Sequence, residues 1–158
     1  MPAGINVFDV LNKSAQNLQR RGIISYRYDV ETLFCETLGI NRVDLYTKDL
    51  DITEEQNQQF EELLKQRAVG VPVQHLTGKA DFFGLKFFVE PGVFIPRPET
   101  EVLVETVIEK CRGGPLWPPY DGQAQGPAPT ILDLCTGSGC IAISLAKYAE
   151  CGNIIATD

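Results

Sequence analysis

The chain has 158 residues, of which 44% are hydrophobic and 22% charged, a balance typical of a soluble globular protein with one domain or two small ones. Its formal net charge of −7 argues against non-specific binding to nucleic acid or to an anionic membrane, and no stretch approaches the ~20 apolar residues of a membrane span. No Cys-x-x-Cys pair occurs among the five cysteines, and the N-terminus has no apolar signal core. Both observations favour free thiols in the cytosol. With one histidine in the chain, no metal site is expected.

The first third of the chain predicts four short amphipathic helices. The first begins after Asn6 as its N-cap, and the second is expected to be capped by Asp29 and to end at Gly39. "NRVDLYTKDL" predicts a shorter third helix. The fourth starts with Thr53 and Gln56, which have the spacing of a capping box. A bundle of this kind is typical of a docking or recognition module, and a purely structural cap is the alternative.

Near residue 77 the hydrophobic pattern changes from that of helices to that of strands. "KADFFGLKFFVEPGVFIP" is rich in Phe and Val and places Gly84-Leu85 where a hairpin can turn. "RPETEVLVETVIEKC" predicts a helix with Pro98 near its first turn. Residues 113–129 contain five prolines and four glycines, so they predict a loop or linker.

The final segment predicts a strand, a glycine loop, a helix and a second strand. "TILDLC" and "NIIATD" are apolar strands on either side of the helix "GCIAISLAKYAE", an order that implies a parallel pair. Both strands are apolar on both faces, so two strands with one helix are expected to leave a bare face.

The loop "DLCTGSGC" is the candidate binding element. Gly137 and Gly139 let the backbone turn tightly and approach a ligand, and the helix N-terminus directs free N–H groups toward it. Asp158 follows Gly139 by 19 residues, at the tip of the second strand, where nucleotide-binding units place a carboxylate for ribose hydroxyls. The loop lacks the third glycine of G-x-G-x-x-G, and a plain strand-to-helix turn is the alternative. It is closer to the loop of S-adenosylmethionine (SAM) methyltransferases, in which the leading acid, here Asp133, organises the loop.

The segment "QRAVGVPVQHLTGKADFFGLKFFVEPGVFIPRPETEVLVE", with "IPRPETE" and "DLCTGSG", closely resembles the glutamine N5-methyltransferases of class I peptide chain release factors, the PrmC/HemK family. The resemblance covers essentially the whole chain. It implies an α/β fold with an N-terminal helical bundle, a β-hairpin linker and the first βαβ unit of a truncated, Rossmann-like SAM-dependent methyltransferase domain. The expected parts are a helical substrate-recognition bundle at 1–72, a hairpin linker at 73–96 and the start of the methyltransferase domain at 97–158.

The resemblance implies SAM as the cofactor and assigns residues to its binding. The family usually has glycine where Cys135 stands, and cysteine is expected to be accepted there if its φ is negative. For Arg97 and Glu99 the alternative is a charge pair that caps a helix. The implied cofactor-binding residues are Asp133, Cys135, Thr136, Gly137, Ser138, Gly139, Asp158, Arg97, Pro98, Glu99 and Thr100.

The resemblance also implies the substrate, the glutamine of the Gly-Gly-Gln motif in class I release factors, and a cytoplasmic, monomeric enzyme with no direct nucleic-acid or membrane partner. The family holds this glutamine with an Asn-Pro-Pro-Tyr motif, which the sequence lacks. "WPPY" at 117–120 precedes the SAM loop and has no carboxamide in the place of the Asn, so we interpret it as loop. We therefore expect a fragment of a longer enzyme, with no catalytic residue of its own and no activity alone.

Three alternatives stay open at this point. Enzymes that methylate a glutamine of a ribosomal protein share the spelling "DLCTGSGC" but typically lack "RPETE". Nucleic-acid amino methyltransferases share the SAM loop, although the acidic charge counts against them. A non-catalytic partner-binding module is the third.

His75 is interpreted as packing in the linker and not as a base.

Overall fold

The computed structural model describes residues 6–112 and 130–158, and the chain divides between Thr77 and Gly78 into two compact units. The described part combines helices with two small sheets, so the α/β class predicted from the sequence is confirmed. The elements are α1 (Val7–Arg20), α2 (Tyr26–Leu38), α3 (Arg42–Thr47), α4 (Glu54–Ala68), α5 (Val73–Thr77), β1 (Lys79–Phe82), β2 (Leu85–Phe88), α6 (Glu101–Arg112), β3 (Ile131–Leu134), α7 (Cys140–Tyr148) and β4 (Ile154–Thr157). The predicted linker at 113–129 and its "WPPY" lie outside the described residues.

Two helices of the first unit begin as the sequence predicts. The Asn6 side chain accepts hydrogen bonds from the N–H groups of Phe8 and Asp9, at 3.0 and 3.4 Å, and so caps α1. At the start of α4, the Thr53 hydroxyl accepts from the Gln56 N–H at 3.2 Å, and the Gln56 side chain accepts from the Thr53 N–H at 3.0 Å. This reciprocal pair is the predicted capping box, and it satisfies N–H groups that have no partner within the helix.

The expected cap of α2 is wrong. Ser25 is the N-cap, and Asp29 lies inside the helix, where it is only 1% exposed. Its Oδ2 accepts hydrogen bonds from Arg67 Nε of α4 at 2.7 Å and from Ser25 Oγ at 2.8 Å. The same guanidinium donates to the Val71 carbonyl at 3.3 Å. Asp29 is therefore the centre of a buried ion pair that joins the start of α2 to the end of α4.

An apolar core occupies the space between the helices of the first unit. The rings of Phe34 and Phe60, both fully buried, meet edge to face with their centroids 5.1 Å apart. Leu18 of α1, Leu33 of α2 and Leu45 of α3 pack in the same cluster. With Phe60 belonging to α4, the helices α1 to α4 thus each bury one face, as the spacing of their apolar residues predicts.

The second unit starts with the antiparallel hairpin β1–β2. Its two-residue turn is Phe83-Gly84, with φ values of +50° and +70°, and Leu85 already pairs with Phe82. The turn therefore lies one residue earlier than the sequence predicts. Phe83 is held in this uncommon conformation because its N–H donates to Glu101 Oε1 at 2.9 Å and its ring packs against Tyr148, with centroids 5.4 Å apart.

The strands β3 and β4 are parallel neighbours, and α7 connects them. Buried residues Val104 and Ile108 of α6 and Leu145 of α7 form a core with side chains of the hairpin. The other side of the β3–β4 pair stays exposed: Leu132 is 58% and Ile155 is 53% accessible. The bare face predicted from the two apolar strands is thus present in the described part of the unit.

Within the residues that the structure describes, no helix has both the length and the apolar character needed to cross a membrane.

We expect Arg67→Ala to lower the free energy of unfolding by about 3 kcal/mol, because the buried Asp29 carboxylate would lose its counter-charge. The matched control is Lys65→Ala, which removes an exposed ion pair with Glu62 at 3.4 Å and should cost less than about 1 kcal/mol. Urea denaturation of the two variants measures both effects. Equal, small losses would show that the buried pair does not hold the helices together.

Candidate functional site

The candidate site is the loop Cys135–Gly139, which joins β3 to α7. One backbone hydrogen bond ties the loop to β4, and a second closes the turn within the loop. The Thr136 N–H donates to the Thr157 carbonyl of β4 at 3.1 Å, and the Gly139 N–H donates to the Thr136 carbonyl at 2.9 Å. Backbone hydrogen bonds alone therefore hold the loop against the end of β4.

Two carboxylates accept hydrogen bonds from two consecutive residues of the same loop. Asp133 is 8% exposed, and its Oδ2 accepts a hydrogen bond from the Thr136 hydroxyl at 2.8 Å. Asp158 is exposed, and its Oδ1 accepts from the Gly137 N–H at 3.3 Å. The structure thus brings together four of the predicted site residues, and Asp158 reaches the loop from the tip of the second strand.

The two loop glycines have different reasons to be glycine. Both have positive φ values, +54° at Gly137 and +74° at Gly139. A Cβ at Gly139 would lie 3.2 Å from Ile143 Cδ1, whereas a Cβ at Gly137 would have no atom within 4 Å. Gly139 is therefore restricted by packing against α7 as well as by its backbone angle. Gly137 faces open space, where a ligand can approach the backbone. Ser138 lies in the turn between them.

The condition under which cysteine was expected to be accepted in the place of glycine, a negative φ, is not met at Cys135. Its φ is +60°, in the left-handed region, and its side chain is exposed. This conformation costs an L-residue roughly 1–2 kcal/mol, a cost that glycine avoids. The hydrogen bonds of the next residue, Thr136, to Asp133 and Thr157 hold the chain in this position.

The predicted segment Arg97–Thr100 lies before α6. Pro98–Thr100 form a 3-10 turn that leads directly into α6, and the Thr100 N–H donates to the Arg97 carbonyl at 3.0 Å. The Arg97 guanidinium lies 5.6 Å from the centroid of the Phe94 ring. No ion pair joins Arg97 to Glu99, and both residues lie in the part of the chain that the structure describes. The capping charge pair considered for these two residues is therefore not formed. Among the described residues, no hydrogen bond links this segment to the glycine loop.

Sequence reasoning missed one contributor to the site. The Thr157 carbonyl accepts the hydrogen bond that anchors Thr136, but a backbone acceptor leaves no signal in residue type. Across residues 6–112 and 130–158, no group of three or more His, Cys, Asp or Glu side chains is placed to hold a metal ion.

Comparison with known proteins is consistent with this architecture. Residues 9–78 match the family model of the PrmC N-terminal domain. The chain is 34% identical over 149 residues to the release factor glutamine methyltransferase of Thermodesulfovibrio yellowstonii. This alignment covers 94% of this chain and 47% of that protein. The corresponding protein of Rhodopirellula baltica is 35% identical over 153 residues, 96% of this chain and 49% of that protein. That of Leptospira interrogans is 35% identical over 154 residues, 97% of this chain and 50% of that protein.

The resemblance to the PrmC family that was inferred from the sequence is therefore confirmed. The relatives are named release factor glutamine methyltransferases. The chain spans about half the length of the curated relatives it matches.

We expect Cys135→Gly to stabilise the chain by about 1 kcal/mol, because glycine accepts the positive φ without steric cost. Cys135→Ala is the matched control, since alanine removes the thiol and keeps the Cβ, and its stability should stay within about 0.5 kcal/mol of the original. Chemical denaturation followed by circular dichroism gives both values. If alanine stabilises as much as glycine, the thiol and not the backbone is the source of strain.

Proposed function

We propose that this chain is part of a SAM-dependent methyltransferase that modifies the side-chain amide N5 of the glutamine in the Gly-Gly-Gln motif of class I release factors. The names of the relatives support this reaction and substrate. The observation that carries the proposal is the glycine loop between β3 and α7, whose Gly137 N–H is bonded to the carboxylate of Asp158. A carboxylate at the tip of the second parallel strand, beside a glycine loop, is the arrangement that binds an adenosine ribose.

The residues of the loop fit SAM by their chemistry. Asp158 offers an exposed carboxylate that can accept hydrogen bonds from the two ribose hydroxyls, and its Oδ1 already lies at the loop. Gly137 leaves open space beside the backbone, so the loop does not obstruct a ligand. Asp133 and Thr136 keep the loop in shape through their hydrogen bond at 2.8 Å. When bound, SAM supplies the methyl group.

We assign Cys135, Ser138 and Gly139 to the same cofactor loop, and the segment Arg97–Thr100 to the cofactor side of the pocket. This second assignment rests on the resemblance to "IPRPETE".

The exposed side of the β3–β4 pair supports the proposal that these elements begin a larger, Rossmann-like sheet. Leu132, Leu134 and Ile155 are 58%, 64% and 53% exposed, which is unusual for strands of a parallel sheet because both faces are normally covered. In the longer protein a further layer would cover them. We accordingly propose residues 97–158 as the start of the methyltransferase domain, with the linker at 73–96.

Catalysis in this proposal depends on positioning. An amide nitrogen is a poor nucleophile, so the reaction gains most from holding the amide in line with the methyl group and from polarising it. The carboxylates beside the loop already accept hydrogen bonds from Thr136 and Gly137, and we assign neither a role as base. We assign no catalytic residue to this chain, since it has no Asn-Pro-Pro-Tyr motif, and we expect it to be inactive alone.

The first unit supplies the surface that we propose for recognition of the release factor, and we define the bundle as residues 1–72. Its exposed aromatic side chains are joined to each other by contacts. Phe8 packs against Tyr46 at 6.4 Å between centroids, and the Arg42 guanidinium lies 5.4 Å from the centroid of Tyr28. Glu31 accepts from the Tyr46 hydroxyl at 2.7 Å and pairs with Arg42. Exposed Tyr, Phe and Arg side chains are the types enriched at protein–protein interfaces.

Methyl transfer from SAM to a purified release factor, measured with the intact longer protein, tests the proposal. We expect methylation at the Gly-Gly-Gln glutamine, no transfer by this 158-residue chain alone, and no transfer to nucleic acid or ribosomal protein. In the intact protein, Phe8→Ala with Tyr46→Ala should raise the KM for release factor about 10-fold and leave the KM for SAM unchanged.

The matched control for the recognition surface is Val69→Ala, which alters another exposed side chain of the first unit, 78% accessible, and should change neither KM. A parallel rise of both KM values would show that the aromatic residues serve general stability. Failure of the intact protein to methylate any release factor would overturn the proposed function.

A further inference from the structure

Glu101, the first residue of α6, connects two separate parts of the second unit. Its backbone N–H donates to the carbonyl of Pro98, inside the segment Arg97–Thr100. Its side chain is partly buried, and the Oε1 atom accepts a hydrogen bond from the Phe83 N–H at 2.9 Å. One residue therefore holds the segment through its backbone and the turn of the β1–β2 hairpin through its carboxylate.

The turn of the hairpin also contacts α7. The Phe83 ring packs against the ring of Tyr148, the last residue of α7, with the centroids 5.4 Å apart and the planes at 66°. A Cβ at Gly84 would lie 3.7 Å from Tyr148 Oη, so the backbone of the turn lies close to that hydroxyl. Buried Phe82 and Phe87 anchor the two strands in the core of the second unit. The turn is thus a bridge between the start of α6 and the end of α7.

The conformation of this bridge depends on its contacts. Phe83 has a φ of +50°, in the left-handed region that is uncommon for a bulky residue and sterically unfavourable for an L-residue. The hydrogen bond to Glu101 is one of the contacts that hold Phe83 there, and the packing against Tyr148 is another. Loss of the hydrogen bond would leave a partly buried N–H without its acceptor and would release the turn from α6.

The bridge lies between the two parts of the proposed cofactor pocket. The glycine loop Cys135–Gly139 leads directly into α7, and the segment Arg97–Thr100 leads directly into α6. No hydrogen bond joins loop and segment among the described residues, so their relative position is set by the elements that follow them. Both helices bury side chains in one core, which fixes the helices. The bond from Glu101 to Phe83 adds a constraint at the first turn of α6, directly beside the segment.

We propose that Glu101 is a positioning residue for the SAM pocket, which it serves by holding the segment Arg97–Thr100 in a fixed position relative to the glycine loop. The inference rests on the proposed function and adds to it a residue that acts through the hairpin and does not touch the cofactor. What the role requires is an acceptor oxygen at the reach of a glutamate side chain, and not a negative charge.

Variants of Glu101 in the intact longer protein test this requirement, with the affinity for SAM measured by titration calorimetry. Glu101→Ala and Glu101→Asp should each weaken SAM binding about 10-fold, because neither side chain reaches the Phe83 N–H. Glu101→Gln keeps the length and a carbonyl oxygen, so its affinity should stay within about twofold of the original. The aspartate variant keeps the negative charge at the start of the helix, so it separates reach from charge.

The matched control is Glu105→Ala, which removes an exposed carboxylate one turn further along α6 and should leave SAM binding unchanged. For all these variants, kcat at saturating SAM and the KM for release factor should equal those of the unaltered protein, because the bundle and the reacting groups are not altered.

Four outcomes would count against the proposal. Full SAM affinity in the alanine variant would overturn the role of Glu101 and leave the proposed function in place. A loss in the glutamine variant but not in the aspartate variant would show that charge matters and not reach. A rise of both KM values together with a lower free energy of unfolding would show a purely structural role. Absence of SAM binding by the unaltered longer protein would overturn the proposed function, and this inference with it.

Discussion

Parallel pairing of β3 with β4 is the constraint on which the candidate site depends. In a parallel pair the carboxyl ends of both strands lie at the same edge, so the loop after β3 and the residue after β4 become neighbours. The register pairs Leu134 with Thr157, which places Asp158 beside the loop and brings its carboxylate to the Gly137 N–H. A shift of the register by one residue would turn the apolar side chains of β4 to the opposite face and separate these groups.

The two units differ in how completely their apolar side chains are covered. The first closes around a buried core and the ion pair of Asp29 with Arg67, and its surface carries connected aromatic side chains. The second buries one side of its parallel strands and leaves Leu132, Leu134 and Ile155 exposed. The first unit is thus a closed helical module, whereas the second leaves one face of its sheet uncovered among the described residues. The match to the PrmC N-terminal domain, at residues 9–78, falls almost entirely in the first unit.

Local chemistry explains why much of this could be predicted from the sequence. Asn6 and the pair Thr53 and Gln56 act within a few residues of their own position, so spacing alone identifies them as caps. The position of Asp158 beside the loop is predicted from spacing as well, because the distance from the glycine loop to the tip of the next strand is nearly constant in such units. The parallel pair followed from the order of strand, helix and strand.

The features that were missed depend on tertiary structure or on strained backbone. Asp29 looked like a helix cap, but its partner Arg67 lies 38 residues away in the sequence. The positive φ of Cys135 and of Phe83 is imposed by hydrogen bonds and packing from other elements, and neither residue type suggests it.

The most direct test of the central claim is the affinity of the intact longer protein for SAM, measured by titration calorimetry before and after Asp158→Ala. Charge-assisted hydrogen bonds contribute about 1.5–3 kcal/mol, so the variant should bind SAM roughly 10- to 100-fold more weakly. Glu150→Ala, which removes another exposed carboxylate of the second unit, should leave the affinity unchanged. Equal affinities of the Asp158 variant and the unaltered protein would contradict the assignment of this loop and carboxylate as the cofactor site.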